Sequence, residues 1–229
     1  MSTTLDEYKL SDIPSAAYYI PNIITESEEE YLISKVNSAP APKWVTLKAR
    51  RLQNWGGTPY NGKMIQEPIP DWLKSSIFAK LQRIGISFEE NDASEPNHVL
   101  VNEYLPGQGI MPHQDGPLYQ PIVATVSLGS HSILNFYPHT SNAATNSDAI
   151  QPEFSVLLEP RSLFVQTDQL YKTYLHGIAE ITEDNIETLK PINASPSVKT
   201  LSRGTRVSLT YRRVKNVVKN PLAKGIFKH

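Results

Sequence analysis

The sequence predicts a mainly β (α+β) domain, a two-sheet sandwich flanked by N-terminal helices. Three observations carry that prediction. From His98 onward, short apolar runs alternate with Pro, Gly or polar turns, and the clearest helical periodicities precede them. The 229 residues suit one large β domain spanning 1–229, since sandwiches and barrels often reach about 200–250 residues without dividing.

Each element has a local cause. Thr25-Glu26-Ser27-Glu28 is a capping box, in which a hydroxyl and a carboxylate satisfy free N–H donors, and Tyr31, Leu32 and Val36 follow as one face. Pro70-Asp71 opens a second helix, where Leu73, Ile77, Leu81 and Ile84 recur at helical spacing before Gly85 stops it. The strands are then read around Val99, Val101 and Leu105, over Ile122 to Leu128, Ile133 to Tyr137, Phe154 to Leu158, Leu163 to Val165 and Val207 to Tyr211. Tyr174-Leu175-His176-Gly177-Ile178 reads as an apolar strand meeting a glycine, and Glu183 to Leu189 is the one stretch among them with a helical pattern. His139 to Pro152, rich in Ser, Asn, Ala and Thr, reads as a flexible connection without chemistry.

Composition removes several function classes. With no Cys, disulfides, thiolate zinc sites and Cys nucleophiles are excluded. No apolar run approaches the ~20 residues that cross a bilayer, and the N-terminus lacks the basic and apolar regions of a signal peptide. An intracellular monomer of nucleus, cytoplasm or both is expected. The net charge of −1 conceals polarity along the chain: Lys199, Arg203, Arg206, Arg212, Arg213, Lys215, Lys219, Lys224 and Lys228 follow one another without an Asp or Glu between them. The end of that run, 215–229, is a basic tail that could meet phosphates or simply be solvated.

The chemistry lies in an ordered polar set: Asn102-x-Tyr104, His113-x-Asp115, His176 and Arg206-x5-Arg212. Two neutral imidazoles and a carboxylate form the ligand set that leaves open positions on non-haem Fe(II), and Arg offers a planar fork for a carboxylate. Residues two apart on a strand share a face, so His113 and Asp115 can converge, as can Asn102 and Tyr104. Arg206 and Arg212 also share a face if they lie on one strand, with Cα atoms about 20 Å apart. His-x-Asp alone is a weak signal, because Asp115-Gly116-Pro117 also reads as an ordinary turn. The distal ligand is open among His98, His131, His139 and His176. His131 is the strongest rival, and the apolar setting favours His176.

Together Asn102-Glu103-Tyr104, Pro106-Gly107, His113-Gln114-Asp115, Ser127-Leu128-Gly129, His176 and Arg206 through Arg212 resemble the AlkB-type Fe(II)/2-oxoglutarate dioxygenases in order and spacing. The resemblance runs from about Tyr18 to about Val214. It is closer to one branch, the sixth AlkB homologue of eukaryotes, through Leu52-Gln53-Asn54-Trp55-Gly56-Gly57, Asp115-Gly116-Pro117-Leu118-Tyr119 and Ser127-Leu128-Gly129-Ser130-His131. The resemblance implies a double-stranded β-helix, or jelly roll, with a metal at one open end. It implies that His113, Asp115 and His176 hold Fe(II), that Arg206 takes the distal carboxylate of 2-oxoglutarate, and that Asn102, Tyr104, Ser208 and Arg212 complete the cradle. Ser208 stands where the DNA-repair members tend to carry Asn, and the acidic residue those enzymes use to read a base has no counterpart after Asp115. With O2 as second cosubstrate, the implied reaction yields succinate and CO2 while hydroxylating or N-demethylating a substrate.

The resemblance puts a substrate-recognition lid at 43–69. Lys43, Lys48, Arg50, Arg51 and Lys63 interleave there with Trp44, Trp55 and Tyr60 around Gly56-Gly57. Cations for phosphates, rings for bases and glycines for a movable lid suit single-stranded or modified nucleic acid, with Arg50, Arg51, Trp55 and Tyr60 as the gripping residues. A hairpin with buried Trp44 and Trp55 is the plainer alternative. Two other functions stay open: the same chemistry on a protein side chain, such as a histone residue, and a nucleic-acid-binding module with a non-productive iron site.

Overall fold

The computed structural model describes residues 5–11, 13, 16–89, 95–139, 151–195 and 197–219. Most of the polar connection 139–152 and the basic tail from 220 onward lie outside the described residues. At the head of α1 (Glu26–Asn37) the Glu28 N–H donates to Thr25 Oγ1 at 3.2 Å and the Thr25 N–H donates to Glu28 Oε2 at 2.8 Å, closing the capping box. Leu32 and Val36 are fully buried, but Tyr31 is 44% exposed. The buried stripe is Glu29, Leu32 and Val36, and Tyr31 stands about 100° round the helix from Leu32, on the shoulder of that stripe. In α2 (Asp71–Arg83), Leu73, Ile77 and Leu81 face inward, with Ile84 buried just past its end. No helix among the described residues is long and apolar enough to cross a membrane.

The strands are β1 (Ala17–Ile20), β2 (Val45–Leu47), β3 (Arg50–Trp55), β4 (Pro59–Tyr60), β5 (Lys63–Gln66), β6 (His98–Tyr104), β7 (Ile110–His113), β8 (Ile122–Leu128), β9 (Ser132–Pro138), β10 (Phe154–Leu158), β11 (Leu163–Thr167), β12 (Tyr174–Ile178), β13 (Glu183–Asn185), β14 (Thr200–Ser202), β15 (Arg206–Arg212) and β16 (Val217–Lys219). A seven-stranded sheet runs β1-β11-β8-β15-β6-β3-β2, and a four-stranded sheet runs β10-β9-β12-β7. They stack as a jelly roll around a core that includes Tyr104 and Phe164 from the large sheet and Phe136, Val156 and Tyr174 from the small one. The stretch 183–189 divides into β13 and the one-turn helix α4 (Ile186–Leu189), and a further short helix, α3 (Asp168–Thr173), links β11 to β12.

Strand parity sets what faces the site. On β6 the side chains of Val99 and Val101 join the helix-covered core, as do Val207, Leu209 and Tyr211 on β15 and Ala124 and Val126 on β8. The alternate residues, Asn102 and Tyr104, Arg206, Ser208 and Arg212, and Val123 and Thr125, line a cavity between the sheets. A period of two thus separates a greasy face from a polar one along the same strands.

The region read as a lid has two different fates. β2 and β3 extend the large sheet, with Arg51 opposite Glu103 and Leu52 opposite Asn102. Only β4 and β5 leave it, forming a small sheet that β16 completes by pairing parallel with β5. Gly56 and Gly57 are not loose hinges. Both have positive φ, and a Cβ would collide with the Asn97 carbonyl at one and the Ile65 carbonyl at the other, so they serve close backbone packing.

Candidate metal centre

Three side chains meet at one end of the cavity. The potential ligand atoms of His113, Asp115 and His176 all lie within 4.8 Å of one another, the only such group among the described residues. His113 ends β7 and pairs directly with His176 on β12, and their ring centroids are 4.5 Å apart. Gly177 permits this approach, since a Cβ there would press on the Ile110 carbonyl and on Pro112. His113 Nδ1 is 2.9 Å from the Met111 carbonyl oxygen, where it donates as N–H and leaves Nε2 as the free lone pair.

The protonation states suit a cation. Burial drives the His176 pKa down to about 4, with Asp115 opposing and His113 and Arg212 adding to the fall. Its imidazole is therefore neutral at physiological pH. Burial resists ionisation of Asp115, but Arg212, His176 and His113 overcome it and hold the carboxyl below its ordinary range. Arg212 Nη1 donates to Asp115 Oδ1 at 2.9 Å. Burial likewise lowers His98, behind this pair, to about 3.

A pH dependence of stability follows from the two buried histidines. Each is deprotonated in the fold but takes up a proton near 6.5 when unfolded. The unfolded state thus binds more protons as pH falls from about 6.5 toward about 4, and stability must fall with it, by about 1.4 kcal/mol per pH unit for each group. Urea midpoints of the metal-free protein are expected to be level above pH 7 and to decline steadily from pH 6.5 to 4.5. A flat profile over that window would mean that neither ring is buried in its neutral form.

Beyond the triad the cavity is built for an anion. Its volume of about 110 Å³ corresponds to roughly eight water-sized volumes, enough for a small dicarboxylate. Arg206 is only 3% exposed and has no carboxylate partner among the described residues. Its Nη2 donates to Ser127 Oγ at 2.9 Å, while Nε has no partner among the described residues. Burial lowers its pKa to about 10, with Tyr104 opposing and Arg203 adding, so it remains charged at neutral pH. A buried, unpaired guanidinium is costly unless a ligand supplies the missing acceptor. Tyr104 is held in its protonated form by burial, against the opposing pull of Arg206 and Arg50, and remains a donor.

The other residues singled out by sequence fall into place unevenly. Asn102 and Ser208 line the cavity. Arg212 lines it too, but one nitrogen is committed to Asp115 and its guanidinium lies 4.0 Å over the Tyr119 ring. His131 faces Asp184 at 3.0 Å, beside Arg203, which binds the same carboxylate through two nitrogens; it belongs to a buried polar clasp away from the triad. His98 is 3.2 Å from Asn54 Oδ1 and His139 starts the polar connection, so neither joins His113 and Asp115. The four gripping residues do not form one surface. Arg50 lines the cavity, whereas Arg51 turns to the opposite face, forks onto Glu103 at 2.6 and 2.8 Å and stacks 4.0 Å over Trp44. Trp55 packs against the core and edge-on to Trp72 with centroids 5.7 Å apart, while Tyr60 is 74% exposed on the small sheet. Among the polar cavity residues that the sequence did not single out, with Thr125 and Thr210, is Gln166 of β11, 3% exposed, whose Oε1 has no partner among the described residues. Its parity with Phe164, which faces the cavity, is the signal that could have found it.

The model of the 2OG-Fe(II) oxygenase superfamily matches residues 16–212. The chain is 44% identical to the probable RNA/DNA demethylase ALKBH6 of Danio rerio, over 96% of this chain and 95% of that protein. It is 27% identical to the tRNA (carboxymethyluridine(34)-5-O)-methyltransferase ALKBH8 of Mus musculus, over 91% of this chain but 32% of that longer protein. Among solved structures, that of OsALKBH1 superposes with a TM-score of 0.60 at 15% identity, covering 89% of this chain and all of that one, a likeness of fold.

Proposed function

Because the chain belongs to the 2OG-Fe(II) oxygenase superfamily, as an AlkB-like dioxygenase, we propose that it oxidises a modified base in single-stranded nucleic acid from the cavity between its sheets. His113, Asp115 and His176 would hold Fe(II), and Arg206 the distal carboxylate of 2-oxoglutarate. The carrying observation is the convergence of the three ligands in a cavity that also holds a buried guanidinium with no carboxylate partner among the described residues. Fe(II), when bound, supplies the redox and O2 chemistry. In the overall reaction 2-oxoglutarate and O2 give succinate and CO2 while one substrate C–H bond becomes C–OH; on an N-methyl group that product loses formaldehyde.

The protein's own residues bind and orient. Arg206 fixes the cosubstrate by its fork, Tyr104 donates from its protonated hydroxyl, and the Arg212 bond to Asp115 holds that carboxylate ionised and aimed. Aliphatic neighbours such as Ile110 and Leu134 give the cavity an apolar wall.

Two observations support nucleic acid as the substrate class. One is the name carried by the zebrafish relative. The other is the outward face of the small sheet, where Tyr60 pairs with Lys63 and Ile65 lies beside Val218, all on the side away from buried Met64. An exposed ring beside a cation can stack a base and meet its phosphate. Replacing Tyr60 and Lys63 together by Ala is expected to weaken single-stranded RNA binding between about 5- and 100-fold and to flatten its salt dependence. Mass spectrometry of methylated RNA, methylated DNA and histone peptides, each incubated with Fe(II), 2-oxoglutarate and the full chain, decides the class. Demethylation of the nucleic acids is expected; oxidation confined to the peptides would transfer the same chemistry to a protein side chain.

A further inference from the structure

We propose that Arg50 belongs to the cosubstrate cradle, and so ties 2-oxoglutarate binding to the β2–β3 hairpin. The inference rests on the reading of the cavity as a 2-oxoglutarate site. Arg50 is the first residue of β3, and its parity with Leu52, opposite Asn102, turns it to the cavity while Arg51 is spent on Glu103 across the other face. Its Nε donates to Asn102 Oδ1 at 3.2 Å. That bond leaves the Asn102 Nδ2 as a donor for an anion in the cavity. Arg50 and Arg206 line the same cavity as Tyr104, whose ring centroid is 5.8 Å from the Arg206 guanidinium, and neither cation has a carboxylate partner among the described residues. The third guanidinium of the cavity, Arg212, is already neutralised by Asp115. Beside a metal on the triad, these two cations offer a dianionic cosubstrate charge-assisted hydrogen bonds away from the metal, and a hairpin gripped in this way gains order when the dianion binds.

Arg50 is thus a positioning residue, acting through the Asn102 amide and through its charge. The experiment is calorimetric titration of 2-oxoglutarate into the full-length protein loaded with Mn(II), a divalent ion that accepts the same nitrogen and oxygen ligands. Arg50→Met is expected to weaken binding at least about 10-fold, as loss of a charged hydrogen bond should. Arg50→Lys should recover part of it, and Lys35→Met, an equal loss of charge on α1, should stay within about 2-fold of the parent. If Arg50 works through Asn102, the Arg50→Met and Asn102→Ala effects will be less than additive when combined, which a merely unstable hairpin would not produce. Parent-like affinity in Arg50→Met overturns the inference, and a simultaneous loss of single-stranded RNA binding would assign Arg50 to the substrate instead. Absence of 2-oxoglutarate binding in the Mn(II)-loaded parent would overturn the reading beneath it.

Discussion

His176→Ala is expected to abolish conversion of 2-oxoglutarate to succinate while leaving a folded protein. Loss of a residue that only orients a metal ligand costs about 10- to 100-fold in affinity or activity, so loss of a ligand should exceed 100-fold. The ring is half-buried and is neutral in both folded and unfolded chains above pH 7, so the stability penalty there is limited to lost packing. His131→Ala gives the reverse pattern. It removes the partner at 3.0 Å from the fully buried Asp184, which Arg203 still grips through two nitrogens. A stability loss of about 1–3 kcal/mol is expected, with iron binding retained. Parallel iron titrations and urea melts of the two variants separate them, and iron lost in His131→Ala but kept in His176→Ala would invert the ligand assignment.

The second large effect concerns Arg206. Lys at this position keeps the charge but not the planar fork, and the side chain is buried. The requirement for 2-oxoglutarate is expected to rise by about 10- to 100-fold in KM, corresponding to about 1.5–3 kcal/mol for hydrogen bonds to a charged group. Arg213→Lys is the counterpart on the opposite face, where the side chain reaches Glu89 at 2.5 Å and the Glu95 carbonyl. Its KM should stay within about 2-fold, since exposed ion pairs contribute little. Equal shifts at 206 and 213 would mean that strand phase does not decide which arginine meets the cosubstrate.

That phase was legible in the sequence, and it explains why most of the site was. Along β15 every second residue is polar, and on β6 Asn102 and Tyr104 share one parity, so Asn102, Tyr104, Arg206, Ser208 and Arg212 declare their face from the sequence. The apolar setting and the family resemblance favoured His176 over His131, but what occupies His131 was not legible. It depends on Asp184, 53 residues from His131, and on Arg203 beyond it. The recognition segment misled for a related reason. Its cations and rings look like one gripping surface in one dimension, but β3 is a strand of the large sheet and sends Arg50 one way and Arg51 the other. The partner that uses up Arg51, Glu103, is 52 residues away, and only the β3–β6 register brings it opposite. Gly56 and Gly57 suggested motion, yet they mark crowding by the Asn97 and Ile65 carbonyls, a fact about neighbours that no local pattern carries.

The central claim is that one cavity brings an iron held by His113, Asp115 and His176 to a 2-oxoglutarate anchored on Arg206. Crystals of the full chain grown without oxygen, with Fe(II) and 2-oxoglutarate present, test it directly through anomalous scattering at the iron edge. The expected result is a single iron peak among those three side chains, with one cosubstrate carboxylate within hydrogen-bonding distance of Arg206. An iron peak at the His131–Asp184 pair, or a cosubstrate carboxylate that leaves Arg206 untouched, would contradict it.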